Sequence, residues 1–235
     1  MVVTADPLVL SAELDRATAR LLDTARTLDG NGLTVASRCD GWTRGHVVSH
    51  LARNADAYRN LLSWARTGVR TPAYASREAR EAGITAGAFR PHEEQLADLI
   101  TACDQLRESI DAMPAESWTA LVEWGSTGPV PAARVVWSRV CEVELHHVDL
   151  DAGYGPADWP ASFALRVLHD PATPHVATLV SDDGTKLLSV DGETVVTGPV
   201  HLLAAWLTGR GPGTGLTSTG PTGSVGDLPS LEAWK

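Results

Sequence analysis

At 235 residues the chain can form one large domain or two small ones, and a 43% hydrophobic content suffices for a core. A formal net charge of −10 and a pI near 5.2 give it no electrostatic reason to bind nucleic acid or an anionic membrane surface. Cys39, Cys103 and Cys141 lie far apart with no CxxC pair, which argues against a disulfide framework and a Cys-rich zinc site and points to a reducing cytoplasm. Met1 to Leu14 lacks a basic segment and a long apolar stretch, so no signal peptide is expected, and no apolar run approaches a bilayer span.

The first half reads as helices. Leu14, Ala17, Leu21, Ala25 and Leu28 recur at three-to-four spacing, and Asp29-Gly30-Asn31-Gly32 stops that helix. Thr43 is a suitable N-cap for a second helix that runs to about Thr67, with Gly68 as its stop. The stretch from Thr71 to Arg90 is ambiguous: a short helix around Ser76 to Ala82, then a long loop. A third helix spans about His92 to Ala112, with Pro114 beyond its end. Leu121 to Trp124 is a short apolar run before a turn-rich segment, Gly125 to Pro131, and a fourth helix follows from about Ala132 to Ala152. Four helices joined in this way suggest an up-and-down bundle.

The texture changes after Gly153. Tyr154 to Pro160 reads as an interdomain link, followed by a short helix near Ser162 to Leu168. Val176–Ser181, Lys186–Val190 and Thr194–Thr197 are strand-like, and Asp182-Asp183-Gly184 and Asp191-Gly192 between them are hairpin signals. A last helix, Val200 to Thr208, ends at Gly209. The Gly-rich tail closes on Leu228-Pro229-Ser230-Leu231-Glu232-Ala233-Trp234, whose apolar groups suggest docking. The fold class is therefore α+β: a four-helix bundle over 1–153, then a small α+β domain over 154–235.

The most informative segment runs from Cys141 to Asp149. Glu142 and His146 are four apart, which on a helix places them about 40° apart around the axis, on one face. A carboxylate and an imidazole one turn apart can both ligate a divalent ion. Two ligands are too few, and His50, beside Val47, Val48 and Leu51, is the best third. Three protein ligands leave a coordination position open, as catalytic zinc sites do, although His and carboxylate donors also suit Ni, Co, Fe or Mn. Asp149 can orient His146 from behind. Against this stands the plain alternative: an interior His is more often a hydrogen-bonded core residue, and Glu and His at helical spacing are common on solvated faces. His46 and His147 compete as ligands, while His169, His175 and His201 read as surface or packing residues. Arg80 and Arg210 are candidate forks for a carboxylate substrate. Arg210 could instead offset a helix dipole, and Arg80 could pair with a nearby Glu.

Asp40-Gly41-Trp42-Thr43 followed by Val47-Val48-Ser49-His50-Leu51 resembles the entry to the second helix of the DinB-like, mycothiol-dependent enzyme superfamily. Glu142-x-x-x-His146-x-x-Asp149-Leu150 resembles its second metal motif. The helix closed by Gly209-Arg210 and the final Leu-Pro-x-Leu-x-x-Trp resemble the maleylpyruvate isomerase branch, which joins the bundle to a small sterol-carrier-like domain. The tail departs from that branch in reading Glu232-Ala233-Trp234-Lys235, without proline and leucine around the tryptophan. The resemblance implies zinc or another divalent metal on His50, Glu142 and His146. It also implies mycothiol as thiol cofactor, and Arg210 and Arg80 as substrate contacts in a cleft between the two domains. The implied reaction converts maleylpyruvate to fumarylpyruvate: thiolate adds to the cis double bond, the resulting single bond rotates, and the thiolate leaves. A mycothiol S-transferase, a non-catalytic binding or regulatory module, and a carrier of apolar ligands are the alternatives.

Overall fold

A computed structural model of the chain describes residues 6–124, 128–190, 192, 194–220 and 224–231. It divides into two compact units, 1–152 and 153–235.

The first unit is helical. α1 (Pro7–Thr27) is capped by Asp6, whose side chain accepts from the Leu8 amide, and buries Leu10, Leu14, Ala17, Leu21 and Ala25 along one stripe. The Asp29–Gly32 stop is itself a turn of helix, α2 (Gly30–Thr34), capped by Asp29. α3 (Arg44–Thr67) starts at Thr43, which caps His46, and ends at Gly68, whose φ of 73° is the left-handed conformation that favours glycine.

The ambiguous 71–90 stretch resolves into a three-turn helix, α4 (Arg77–Ala88), capped by Ser76. It extends well past the short helix expected, because small residues let it lie close along α3. A Cβ at Gly87 would collide with Ser49 Oγ, and Ser49 Oγ donates to the Ile84 carbonyl at 2.8 Å. α5 (His92–Asp111) and α6 (Ala133–Asp149) complete the bundle, α5 packing on α3 and α1, and α6 on α1 and α3. A two-stranded ribbon, β1 (Leu121–Glu123) with β2 (Pro129–Pro131), precedes α6. Within the bundle Arg139 is 1% exposed and donates to the Leu51 carbonyl and to Asn54 Oδ1, at 2.9 and 2.7 Å. That satisfaction is what allows a cation there.

The second unit is α+β. After α7 (Ala161–Val167), the strands β3 (Thr178–Val180), β4 (Lys186–Leu188), β5 (Val195–Thr197), β6 (Thr217–Thr219) and β7 (Val225–Gly226) form one sheet in the order β4-β3-β5-β6-β7. The Asp182–Gly184 turn makes the expected hairpin, β3 antiparallel to β4. The second expected hairpin does not form: β5 pairs with β3 in parallel, on the edge that β4 leaves open. α8 (Val200–Leu207) then leads to β6 and β7, two strands in the Gly-rich tail that alternation alone did not mark. The expected docking of the terminus turns on Trp234, and Glu232–Lys235 lie outside the described residues, as do 125–127 of the turn and Asp191.

Candidate metal centre

α3 and α6 supply the site. His50, on the second turn of α3, is 3% exposed and faces into the bundle between the buried Val47 and Leu51. Glu142 and His146 share one face of α6, one turn apart. Packing of the two helices brings His50 Nε2 to 2.9 Å from Glu142 Oε2, and His146 Nε2 to 3.4 Å from the same oxygen. One donor atom from each of the three residues lies within 4.8 Å of the others. The two imidazoles meet edge to face, their centroids 4.6 Å apart.

Each member is held from behind. His146 Nδ1 faces Asp149 Oδ2 at 2.9 Å and Cys39 Sγ at 4.0 Å. The loop carrying Cys39 is tied to the end of α6: the Arg38 amide donates to the Asp149 carbonyl at 2.8 Å, and Arg44 Nε to the Leu150 carbonyl at 2.7 Å. Cys39, His146 and Asp149 form a second convergent donor set that shares His146. His50 packs against Trp42, their centroids 5.4 Å apart, and its Nδ1 lies 3.3 Å from Arg80 Nη2.

The three groups are driven apart in proton affinity. Burial alone would raise the Glu142 carboxyl, but the hydrogen bonds from His146 and His50 outweigh it and hold it well below the usual range. Burial would likewise lower His146, yet its bonds to Asp149, Cys39 and Glu142 hold it well above the ordinary imidazole value. For His50 burial wins and the value is lowered, against the bond to Glu142.

The donor set fits a divalent ion. Nitrogen and oxygen ligands about 2.0–2.2 Å from a tetrahedral zinc are separated by roughly 3.3–3.6 Å; the 3.4 Å between His146 Nε2 and Glu142 Oε2 matches that edge, and the 2.9 Å hydrogen bond from His50 to the same oxygen would open by a few tenths of an ångström around an ion. Asp149 behind His146 is the carboxylate–imidazole support typical of such ligands.

The competing histidines are used elsewhere: His46 shares the Thr43 cap, and His147 Nε2 lies 2.7 Å from Thr24 Oγ1. Glu144 turns to α1 and pairs with Arg20 at 2.5 Å. Arg80 pairs with Glu81 through Nη1 at 2.5 Å, the nearby-Glu alternative, while its Nη2 lies at His50. Arg210, in the second unit, donates to the Thr208 carbonyl at 2.7 Å, near the C-terminal end of α8. Sequence reasoning missed Cys39, Trp42 as a neighbour of His50, and Tyr74, over whose ring Arg80 lies. No periodicity could have found them, because all three sit outside helices.

Residues 14–151 match the model of the mycothiol maleylpyruvate isomerase N-terminal domain. The chain belongs to that family. Over its length it is also similar to two solved structures of mycothiol-dependent maleylpyruvate isomerase. The first is 28% identical with a TM-score of 0.83. The second, a histidine-to-alanine mutant, is 27% identical with a TM-score of 0.82. In both, 96% of this chain and 97% of the other are covered. No curated protein sequence matches the chain. The family match spans α3 and α6 and hence all three clustered residues. Among the described residues no helix is long and apolar enough to cross a membrane.

Proposed function

We propose that this family member is a metal- and mycothiol-dependent cis–trans isomerase that converts maleylpyruvate to fumarylpyruvate. The observation that carries the reading is the convergence of His50, Glu142 and His146, with Arg80 against them, in a chain of this family. Those three side chains would hold the ion, with zinc as first choice. Bound there, it would supply the Lewis acidity that keeps a thiol sulfur deprotonated at neutral pH.

The chain's own groups do the rest. Glu142 would offer the ion a carboxylate oxygen and His50 and His146 their Nε2 atoms, and Asp149 would keep the proton of His146 on Nδ1. A His50 that ligates through Nε2 carries its proton on Nδ1, where Arg80, a donor only, loses its acceptor. The guanidinium is then available to a substrate carboxylate and to the negative charge that develops when the conjugated double bond is attacked. With that bond single, the substrate rotates about it, and elimination restores the double bond as trans. Arg210 is assigned to a second carboxylate by the family resemblance. The substrate class is a small dicarboxylate and the partner a low-molecular-weight thiol. Three free cysteines suit the reducing cytoplasm proposed as its compartment.

The test is the absorbance change of maleylpyruvate with and without mycothiol, on protein of known metal content. Thiol- and metal-dependent appearance of fumarylpyruvate, with mycothiol recovered unchanged, supports the reading. A stable thiol conjugate as product would make the protein an S-transferase instead.

A further inference from the structure

Tyr74 lies in the segment joining α3 to α4, which Asn60 ties to α3 by donating to the Ala73 carbonyl at 3.2 Å. The guanidinium carbon of Arg80 sits 5.8 Å from the centre of the Tyr74 ring, so the phenol and the cation pack together. The same guanidinium reaches His50 with Nη2. Tyr74 therefore stands one residue away from the candidate metal cluster, through Arg80. Its hydroxyl oxygen is buried, and the group that faces it is Arg80, a donor only, so the phenol proton finds no acceptor among the described residues. A buried hydroxyl whose proton lacks an acceptor is costly and calls for a reason. Burial raises the phenol above its ordinary value against the opposing charge of Arg80, so it remains a donor through the neutral range. Arg80 offers donors only, and an acceptor that touches both groups must therefore be electron-rich, with an anion favoured.

We propose that Tyr74 is a substrate-contacting residue, its phenol donating to an oxygen of the carboxylate that Arg80 holds. The inference rests on the isomerase reading and deepens it by giving the dicarboxylate a second, neutral donor on the α3–α4 segment. A planar fork and a phenol together define the orientation of a carboxylate better than the fork alone.

The test is Tyr74→Phe in the full, metal-loaded chain, since that change removes the hydroxyl and leaves the ring under Arg80. Maleate, the simplest cis dicarboxylate, is titrated by calorimetry. The Kd for maleate is expected to rise roughly tenfold, the loss of one hydrogen bond to a charged group. KM for maleylpyruvate should rise in step, with kcat within about twofold of wild type. Arg80→Gln should weaken maleate binding too, and the double variant should lose less than the sum, because both groups act on one carboxylate. An unchanged Kd for maleate overturns the proposal, whether or not the melting temperature falls. So does a loss of kcat with Kd and KM unchanged, which would place the hydroxyl on the developing enolate. If the wild type binds maleate but does not isomerise maleylpyruvate, the isomerase reading fails, and the Kd comparison still decides the role of Tyr74.

Discussion

Asp149 is the residue whose removal tests the proposed ligand set most sharply. Its carboxylate lies 2.9 Å from His146 Nδ1 and is buried, while its backbone carbonyl separately receives the Arg38 amide. Asp149→Asn keeps the volume, the backbone bond and an acceptor oxygen, and removes only the charge. Asp149→Ala removes the acceptor as well. Loss of a carboxylate behind a ligating imidazole costs about 10- to 100-fold in metal affinity, or about 1.4–2.7 kcal/mol, with Asn expected near the lower end and Ala near the upper. A second effect opposes the first. The hydrogen bond to Asp149 is foremost among the influences that raise His146, so its loss lets His146 give up its proton more easily. Protons compete with the metal, and the wild type carries the heavier proton penalty at low pH. The ratio of wild-type to variant affinity should therefore be smallest near pH 6 and grow toward pH 8. Competition for zinc against a chromophoric chelator, at several pH values, reads both the size and the slope. Equal affinities for wild type and Asp149→Ala at pH 8, with the variant folded, would refute the reasoning and remove His146 from the ligand set.

His50→Ala is expected to abolish stoichiometric zinc binding and isomerisation together, since two ligands on one helix face are too few; full metal occupancy by elemental analysis would contradict this. Metal-linked stability should depend on pH with a definite sign. In the metal-free protein, raised His146 contributes stability that is present below about pH 6.5 and is lost as pH rises through its folded value, while depressed Glu142 contributes stability that is fully present above about pH 4.5 and is lost as pH falls through its folded value. His50, lowered by burial, works in the opposite sense as pH falls below about 6.5. Bound metal needs the His146 proton gone, so the rise in Tm on adding zinc should increase between pH 6.5 and 8.5; a rise that shrinks over that range would count against the ligand role of His146. Gly87→Ala, whose Cβ would strike Ser49 Oγ, should destabilise the α3–α4 contact by about 1–3 kcal/mol in urea unfolding, where Gly30→Ala, with open space around it, should not. Arg210→Ala should leave metal content unchanged and slow turnover; wild-type kinetics would take Arg210 out of the site.

What the chain determines locally was legible in its sequence. Thr43 and Gly68 bound α3 because capping and the left-handed conformation are properties of one or two residues. Glu142 and His146 share a face because about 100° of turn per residue brings i and i+4 together whatever surrounds them. The same local reading failed where neighbours decide. α4 was under-read because Gly87, a poor helix former alone, is what lets it approach α3. The Asp191-Gly192 signal suggested a hairpin, whereas β5 took the free edge of β3, a choice made by the sheet and not by the turn. In the site, sequence could nominate His50 as a third donor but could not place it. Its 2.9 Å approach to Glu142 exists only because α3 and α6 pack side by side. Cys39 behind His146 and Tyr74 beneath Arg80 were invisible, since both sit in irregular segments whose direction is set by tertiary hydrogen bonds, from the Arg38 amide to Asp149 and from Asn60 to Ala73. Periodicity carries a residue's face along a helix, and only packing decides what that face meets.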